Sequence, residues 1–248
     1  MQFRIVTLFP ELVEGVAGFG VVGRGVRSGL VGMQCVNPRQ FTTDLHNTVD
    51  DRPYGGGPGM VMKYEPLKAA VETAKHSLQG QAPVVFLSPQ GRRFDQATAR
   101  RYAALDGMVL VAGRYEGVDE RFINSHVDEE LSLGDFVLSG GEIAAMAVVD
   151  AVSRLLPGVL GDDESASCDS FEDGLLDFPH YTRPESVDGI PVPEVLLSGD
   201  HARISRWRRT EALGRTYKRR PDLLGDELCA EDRALIDEWL ALQQASKG

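Results

Sequence analysis

Cysteine is scarce: Cys35, Cys168 and Cys229 are the only three in 248 residues, odd in number and far apart. That count excludes a disulfide-dense framework, and no paired spacing offers a zinc site or a redox pair, so they read as free thiols in a reducing cytoplasm. Long apolar runs are also missing. Residues 1–9 are stopped by Pro10-Glu11 with no small-residue cleavage site, and the richest later stretch, 143–152, contains Asp150. Both fall far short of the roughly 20 residues of a membrane span, so neither secretion nor a membrane is indicated. Cations are outnumbered, 26 Lys and Arg against 37 Asp and Glu, for a net charge of −11. Such a balance argues against a protein that coats nucleic acid through bulk charge.

What is present suits a globular α/β protein. Hydrophobic residues make up 42% of the chain, enough for a normal core in one large or two modest domains. Residues 3–8, 84–87 and 108–112 read as buried strands, with helical patterns at 10–17, 65–77 and 95–105. This alternation implies an α/β layer with a mainly parallel sheet. Composition changes at Asp162-Asp163-Glu164-Ser165-Ala166-Ser167-Cys168-Asp169-Ser170, and no Lys or Arg occurs between Arg154 and Arg183. The expected organisation is a first domain over 1–160, a flexible linker over 161–176, and a small, mainly helical domain over 177–248 that ends in a helix over 231–244.

Positive charge is segregated. The window 201–221 holds Arg203, Arg206, Arg208, Arg209, Arg215, Lys218, Arg219 and Arg220 against Glu211 alone, a local charge of +7 that leaves −18 for the rest. One anion-binding face is the functional reading; a solvated basic helix is the plain one. Trp207 and Tyr217 within it can stack on bases or simply pack.

Several segments carry candidate chemistry. Asp50-Asp51-Arg52-Pro53-Tyr54-Gly55-Gly56-Gly57-Pro58-Gly59-Met60 is shaped for contact, since glycine lets backbone approach a ligand and proline limits its flexibility. A phosphate-cradling P-loop is excluded, because Met60-Val61 stands where Lys-Ser or Lys-Thr is needed. Gly18-Phe19-Gly20-Val21-Val22-Gly23 matches the dinucleotide-binding pattern by letter but does not directly follow a strand, so it is rejected. Three glycine-containing turns sit after strands or before a helix: Ser88-Pro89-Gln90-Gly91, Gly113-Arg114-Tyr115-Glu116-Gly117, and residues 133–141. In open α/β sheets ligands bind outside the carboxyl ends of strands, so the three are expected to form one pocket. Ser139 and Glu142 match an S-x-x-E capping box, and the helix after them should be buried all round in its first half. Arg154 follows Asp150 by four residues, the spacing of an ordinary helix ion pair. Asp169 is one acid among many, and His46, His126, His180 and His201 show no metal spacing.

Taken in order, these motifs resemble the bacterial tRNA (guanine-N1)-methyltransferases that modify guanosine 37 beside the anticodon, members of the SPOUT superfamily. The resemblance runs from Phe9-Pro10-Glu11 through the segment at 49–60, Leu87-Ser88-Pro89-Gln90-Gly91, Gly113-Arg114-Tyr115-Glu116-Gly117 and Ser139-Gly140-Gly141-Glu142. It continues through Asp169-Ser170-Phe171, His180-Tyr181-Thr182-Arg183-Pro184, Leu196-Leu197-Ser198-Gly199 and Leu213-Gly214-Arg215-Thr216. It implies a deep trefoil knot in the first domain, a rarity among folds, and an obligate homodimer. It also implies that S-adenosyl-L-methionine lies against Phe86, Leu87, Ser88, Pro89 and Gln90, against Gly113, Tyr115, Glu116 and Gly117, and against Leu133, Gly134, Asp135, Phe136, Val137, Leu138, Gly140 and Gly141. By the same resemblance Asp169 is the general base, reaching a pocket formed largely by the other subunit, and Arg154 the cation that stabilises charge on guanine. Asp50, Arg52, Gly59, Ser165, His180 and Gly199 would contact the target nucleotide or its neighbours, and Arg208 and Arg209 the anticodon-stem phosphates. The family is also associated with magnesium, for which the sequence offers no evident all-protein site.

Four positions depart from forms associated with that family. Ile143 stands for leucine, Ala144 for proline and Phe136 for tyrosine, apolar or hydroxyl-loss changes expected to alter affinity more than reaction type. Asp200 stands for asparagine and would replace an amide donor near RNA with negative charge. Two other classes stand against this one: an RNA-binding protein that has lost catalysis, against which intact Arg154 and Asp169 speak, and a nicotinamide-dependent oxidoreductase, which has only the rejected glycine pattern from Gly18 and lacks an acidic ribose-binding residue on a second strand, Asp44 being too near loop composition.

Overall fold

The structure, a computed structural model, describes residues 1–161, 169–225 and 228–245. The chain divides into two compact units, Met1–Asp163 and Glu164–Gly248.

The first unit is built on a five-stranded sheet. Its strands are β1 (Gln2–Val6), β2 (Gly32–Val36), β5 (Val84–Arg93), β6 (Gly107–Ala112) and β7 (Glu129–Ser132), in the order β2-β1-β6-β5-β7 and parallel throughout. A small antiparallel ladder joins β3 (Asp50–Asp51) to β4 (Val61–Met62). The helices are α1 (Pro10–Glu14), α2 (Gly20–Arg27), α3 (Tyr64–His76), α4 (Gln96–Ala103), α5 (Glu120–His126) and α6 (Glu142–Ser153).

Strand β6 explains the layering. All six of its residues are buried, as a near-continuous apolar run should be when helices cover both faces of a parallel sheet. Side chains alternate, so Met108 and Leu110 join Phe3, Ile5, Val85 and Leu131 beneath Val148, Val149 and Val152 of α6. Val109 and Val111 face the other way, with Val84 and Phe86 against Leu67, Ala70 and Val71 of α3 and Phe122 of α5. The expected mainly parallel α/β layer is therefore present.

Some boundaries differ from expectation for identifiable reasons. Strands β2 and β7 carry no buried apolar run in the sequence because they are edge strands with half-exposed residues, including Glu129 and Glu130. The helix expected over 10–17 is α-helical only to Glu14, with Pro10 in its first turn, and then tightens into a 3₁₀ turn, Gly15–Gly18. The Gly18–Gly23 pattern starts at the last residue of that turn and runs into α2 rather than following a strand, which removes the structural context of a dinucleotide fingerprint. Ile143 is exposed in the single chain, so the first half of α6 is not buried all round.

The second unit is mostly helical, with α7 (Glu194–Leu197), α8 (His201–Arg219) and α9 (Ala230–Ala245), plus a two-stranded ladder of β8 (Ser186–Val187) and β9 (Ile190–Pro191). Helices α8 and α9 pack through Leu213, Leu235 and Ile236, with Leu175 and Leu224 against them. Asp200 caps α8 by accepting the Arg203 N–H at 3.1 Å. An asparagine would cap equally well, so this departure has a folding role available to either residue. Residues 169–176, expected within the linker, are tied into this unit: the Leu176 N–H donates to the Thr216 hydroxyl at 2.9 Å, and the Asp177 N–H to the Ser170 hydroxyl at 3.0 Å.

Candidate functional site

The three turns singled out in the sequence converge. They leave the carboxyl ends of β6, β5 and β7, which are adjacent in the sheet. Strand β5 was expected to end at Leu87; instead Leu87 and Arg92 both pair with Leu131 of β7, so residues 88–91 are looped out of a strand that resumes beyond them. That bulge, the 113–117 loop and the 133–141 loop enclose a cavity of about 470 Å³. The volume is in the range of small-molecule and cofactor sites. Of the residues the resemblance assigns to S-adenosyl-L-methionine, Phe86 through Gln90, Gly113, Tyr115 through Gly117, Leu133, Gly134, Phe136 through Leu138, Gly140 and Gly141 all line it. Asp135 is not among the lining residues; its carboxylate accepts from the Arg93 guanidinium at 2.7 Å.

The cavity walls are braced from two sides. Tyr115 has φ of 60°, a left-handed conformation that costs a non-glycine residue on the order of 1 kcal/mol and persists only where the surroundings impose it. Here they do: the Glu116 N–H donates to the Met60 carbonyl at 3.0 Å, and the Met62 N–H to the Gly117 carbonyl at 2.9 Å. The glycine-proline segment is thus docked on the second loop. Gly59, at φ of 79°, leaves no room for a side chain, because a Cβ there would run into Glu116. At the tip of the same segment Tyr54 is fully exposed.

The other brace is an ion pair that sequence reasoning missed. Helix α6 begins at Glu142 with Gly141 as its cap residue and no side-chain capping bond, so the S-x-x-E box does not form. The Glu142 carboxylate is turned inward instead. Only 1% exposed, it accepts from the Thr7 hydroxyl at 3.0 Å and from Arg114 Nε at 2.9 Å. Arg114 also donates through Nη1 to the Ser139 carbonyl at 3.1 Å, and its guanidinium lies 4.4 Å over the Phe9 ring. These partners are distant in sequence, and the capping pattern already supplied a local use for Glu142.

The family can now be read. The description "tRNA (Guanine-1)-methyltransferase TrmD" matches residues 1–226. Among curated proteins, the tRNA (guanine-N(1)-)-methyltransferase of Methylococcus capsulatus is 60% identical over 240 residues, covering 96% of each chain. Proteins of that name from Photobacterium profundum and Pseudomonas fluorescens are 55% and 54% identical, the former over 99% of both chains and the latter over 97% of this one and 96% of its own. The chain belongs to the tRNA (guanine-N1)-methyltransferase family. Methylation of guanine in tRNA is the activity that membership implies. No helix among the described residues is long and apolar enough to cross a membrane.

The remaining residues that the resemblance assigns to the site of this tRNA (guanine-N1)-methyltransferase family member fall in both units. Arg154 caps the C-terminus of α6, its N–H donating to the Asp150 carbonyl at 3.2 Å. Asp169 lies in the second unit, its carbonyl accepting from the Glu172 N–H at 3.3 Å. Ser165 is outside the described residues. Asp50 is half-buried in β3 and Arg52 is exposed beside it. Gly199 precedes the cap of α8, with φ of 70°. His180 Nε2 is 2.8 Å from Asp177 Oδ2, and its ring lies 4.7 Å from Phe178. His180 and Arg208 line a second cavity, of about 940 Å³, within the second unit.

The basic window forms α8 but is not uniform. Arg209 is engaged by both carboxylate oxygens of Asp232, Arg206 pairs with Glu238 at 2.7 Å, and both acids come from α9. Arg208 lies instead 4.8 Å over the Phe178 ring. Of the two aromatics in the window, Trp207 lies 6.4 Å from Tyr181, and Tyr217 is exposed.

Proposed function

We propose that this chain transfers a methyl group from S-adenosyl-L-methionine to N1 of guanosine 37 in tRNA. The observation that carries the reading is the cavity itself: in a chain of this family, three loops from adjacent strands enclose a space of about 470 Å³ with glycine backbone and aromatic side chains on its walls. Such a lining suits an adenine ring and a ribose, which need apolar contact and a few backbone hydrogen bonds.

When bound, S-adenosyl-L-methionine supplies an electrophilic methyl on its sulfonium. The chain's own residues handle the nucleophile. N1 of guanine carries a proton at neutral pH, and the Asp169 carboxylate takes it as general base. Negative charge then develops toward O6, where Arg154 stabilises it. The base belongs to the second unit and the cation to the first; in the proposed homodimer Asp169 reaches the partner's pocket. In this reading the first unit is the knotted SPOUT domain, and residues 177–248 form the tRNA-binding domain that grips phosphates and sets register without reading sequence. Asp50, Arg52, Gly59, Ser165, His180 and Gly199 contact the target nucleotide and its neighbours, in the cytoplasm where tRNA is modified. Among the described residues no group of three or more His, Cys, Asp or Glu gathers in a way that could hold a metal ion.

The test is transfer of labelled methyl from S-adenosyl-L-methionine to two tRNA transcripts differing only in guanosine or adenosine at position 37. Label on the guanosine transcript alone is the expected result. Label on neither would overturn the reading and favour a tRNA-binding protein without catalysis.

A further inference from the structure

Among the described residues of the first unit, Glu142 is the only buried carboxylate. A carboxylate taken so far out of water is tolerated only when charge and hydrogen bonds meet it, and both of its oxygens are met here by residues remote in sequence. One oxygen is fixed to the end of β1 through Thr7, whose hydroxyl in turn accepts the Phe9 N–H at 3.0 Å. The other is fixed to Arg114, which lines the cavity.

Three features place this pair at the junction of the second and third loops. Arg114 belongs to the 113–117 loop, yet its Nη1 holds the Ser139 carbonyl of the 133–141 loop. A Cβ at Gly140 would run into both the Arg114 side chain and Glu142, so the third loop lies directly against the pair. The Phe9 ring covers the guanidinium, which limits its freedom to swing to other acceptors. A planar guanidinium with one edge on a carboxylate and another donor on a carbonyl is a two-point clamp, and an ammonium cannot reproduce that geometry.

We propose that Glu142 is a positioning residue for the methyl-donor site: anchored by Thr7, it orients Arg114 so that the guanidinium clamps the second loop to the third and fixes the shape of the cavity between them. The inference rests on the S-adenosyl-L-methionine reading of that cavity. A purely structural Glu142–Arg114 pair would need only charge neutralisation. A clamp needs the second donor as well.

The test compares S-adenosyl-L-methionine binding by titration calorimetry in the full chain and in E142Q, R114K and the double variant, well below each protein's melting temperature. R114K keeps a cation for Glu142, and so tolerates folding, but loses the planar fork. Donor affinity is expected to fall roughly tenfold in R114K and in E142Q, the scale of one charge-assisted hydrogen bond, and to fall no further in the double variant because the pair acts as a unit. Wild-type affinity in a folded R114K would overturn the clamp, as would single losses that simply add. If the unsubstituted chain itself binds no S-adenosyl-L-methionine, the donor-site reading fails first and takes the clamp with it.

Discussion

Gly141 is packed directly on the carboxyl end of β6, against Ala112 and Gly113. Its N–H donates to the Gly113 carbonyl at 2.9 Å, and a Cβ on it would meet the Ala112 Cα at 2.7 Å and the Gly113 nitrogen at 3.1 Å. These neighbours are backbone atoms of a buried strand and cannot turn aside as a side chain can. Gly141→Ala is therefore expected to destabilise the first unit by about 1–3 kcal/mol, as overpacking does, and to displace the third loop. Urea unfolding together with S-adenosyl-L-methionine titration checks this. A variant as stable as the parent, with donor affinity intact, would mean that α6 can shift without consequence.

The two arginines grouped by sequence as one phosphate grip should separate in experiment. Arg209 is held by Asp232, whereas Arg208 lies over Phe178 at the edge of the second cavity. Arg208→Ala is expected to lower the slope of log K against log salt for tRNA by about 1, the loss of one phosphate contact. Arg209→Ala should change it less, because that guanidinium is already neutralised, and an exposed pair of this kind adds at most about 1 kcal/mol to stability. Equal slopes in the two variants would show that Asp232 releases Arg209 when RNA binds.

How much of this was legible in the sequence depends on where each signal lies. Strands β1, β5 and β6 are readable because an interior parallel strand is apolar on both faces, while β2 and β7 are not, because edge strands carry half-exposed and charged residues. The cavity was legible as three glycine-bearing turns beside strands, since that signal is local. Its brace was not. Thr7 and Glu142 are 135 residues apart, and Arg114 and Glu142 are 28 apart, so only folding brings them together. A local pattern, S-x-x-E, competed for Glu142 and lost because two tertiary partners outweigh one capping bond. Asp169 and Arg154 gave no sign in spacing or periodicity; resemblance alone singled them out.

Helix α4 offers a pH test independent of function. Asp95 caps it by accepting the Thr98 N–H at 2.7 Å. Hydrogen bonds from the Thr98 side chain and then its backbone hold the Asp95 carboxyl below its ordinary value of 3.8. A depressed carboxyl stabilises the fold fully above its unfolded value and loses that contribution as pH falls through the folded one. Asp95→Ala is accordingly expected to cost about 1 kcal/mol at neutral pH, the usual worth of such a cap, with the gap between variant and parent closing below about pH 4. Urea unfolding of both proteins at pH 7 and pH 3 measures it. A gap that persists undiminished at pH 3 would assign the cost to something other than the ionised cap.

Asp169→Asn separates chemistry from binding. The asparagine keeps the shape of the residue and its backbone link to Glu172, yet it cannot take a proton from N1 of guanine. The cavity lies wholly within the first unit and Asp169 in the second, so S-adenosyl-L-methionine affinity should be unchanged. Single-turnover methyl transfer should fall by roughly 10²–10⁴-fold, the range general-base catalysis contributes. Arg154→Ala should also slow transfer, through lost stabilisation of charge at O6 rather than a lost base, so raising pH should not restore it. If Asp169→Asn transfers methyl at the parent rate, the proton leaves guanine by another route, and the acid surrounded by Glu164, Glu172 and Asp173 returns to being one charge among many.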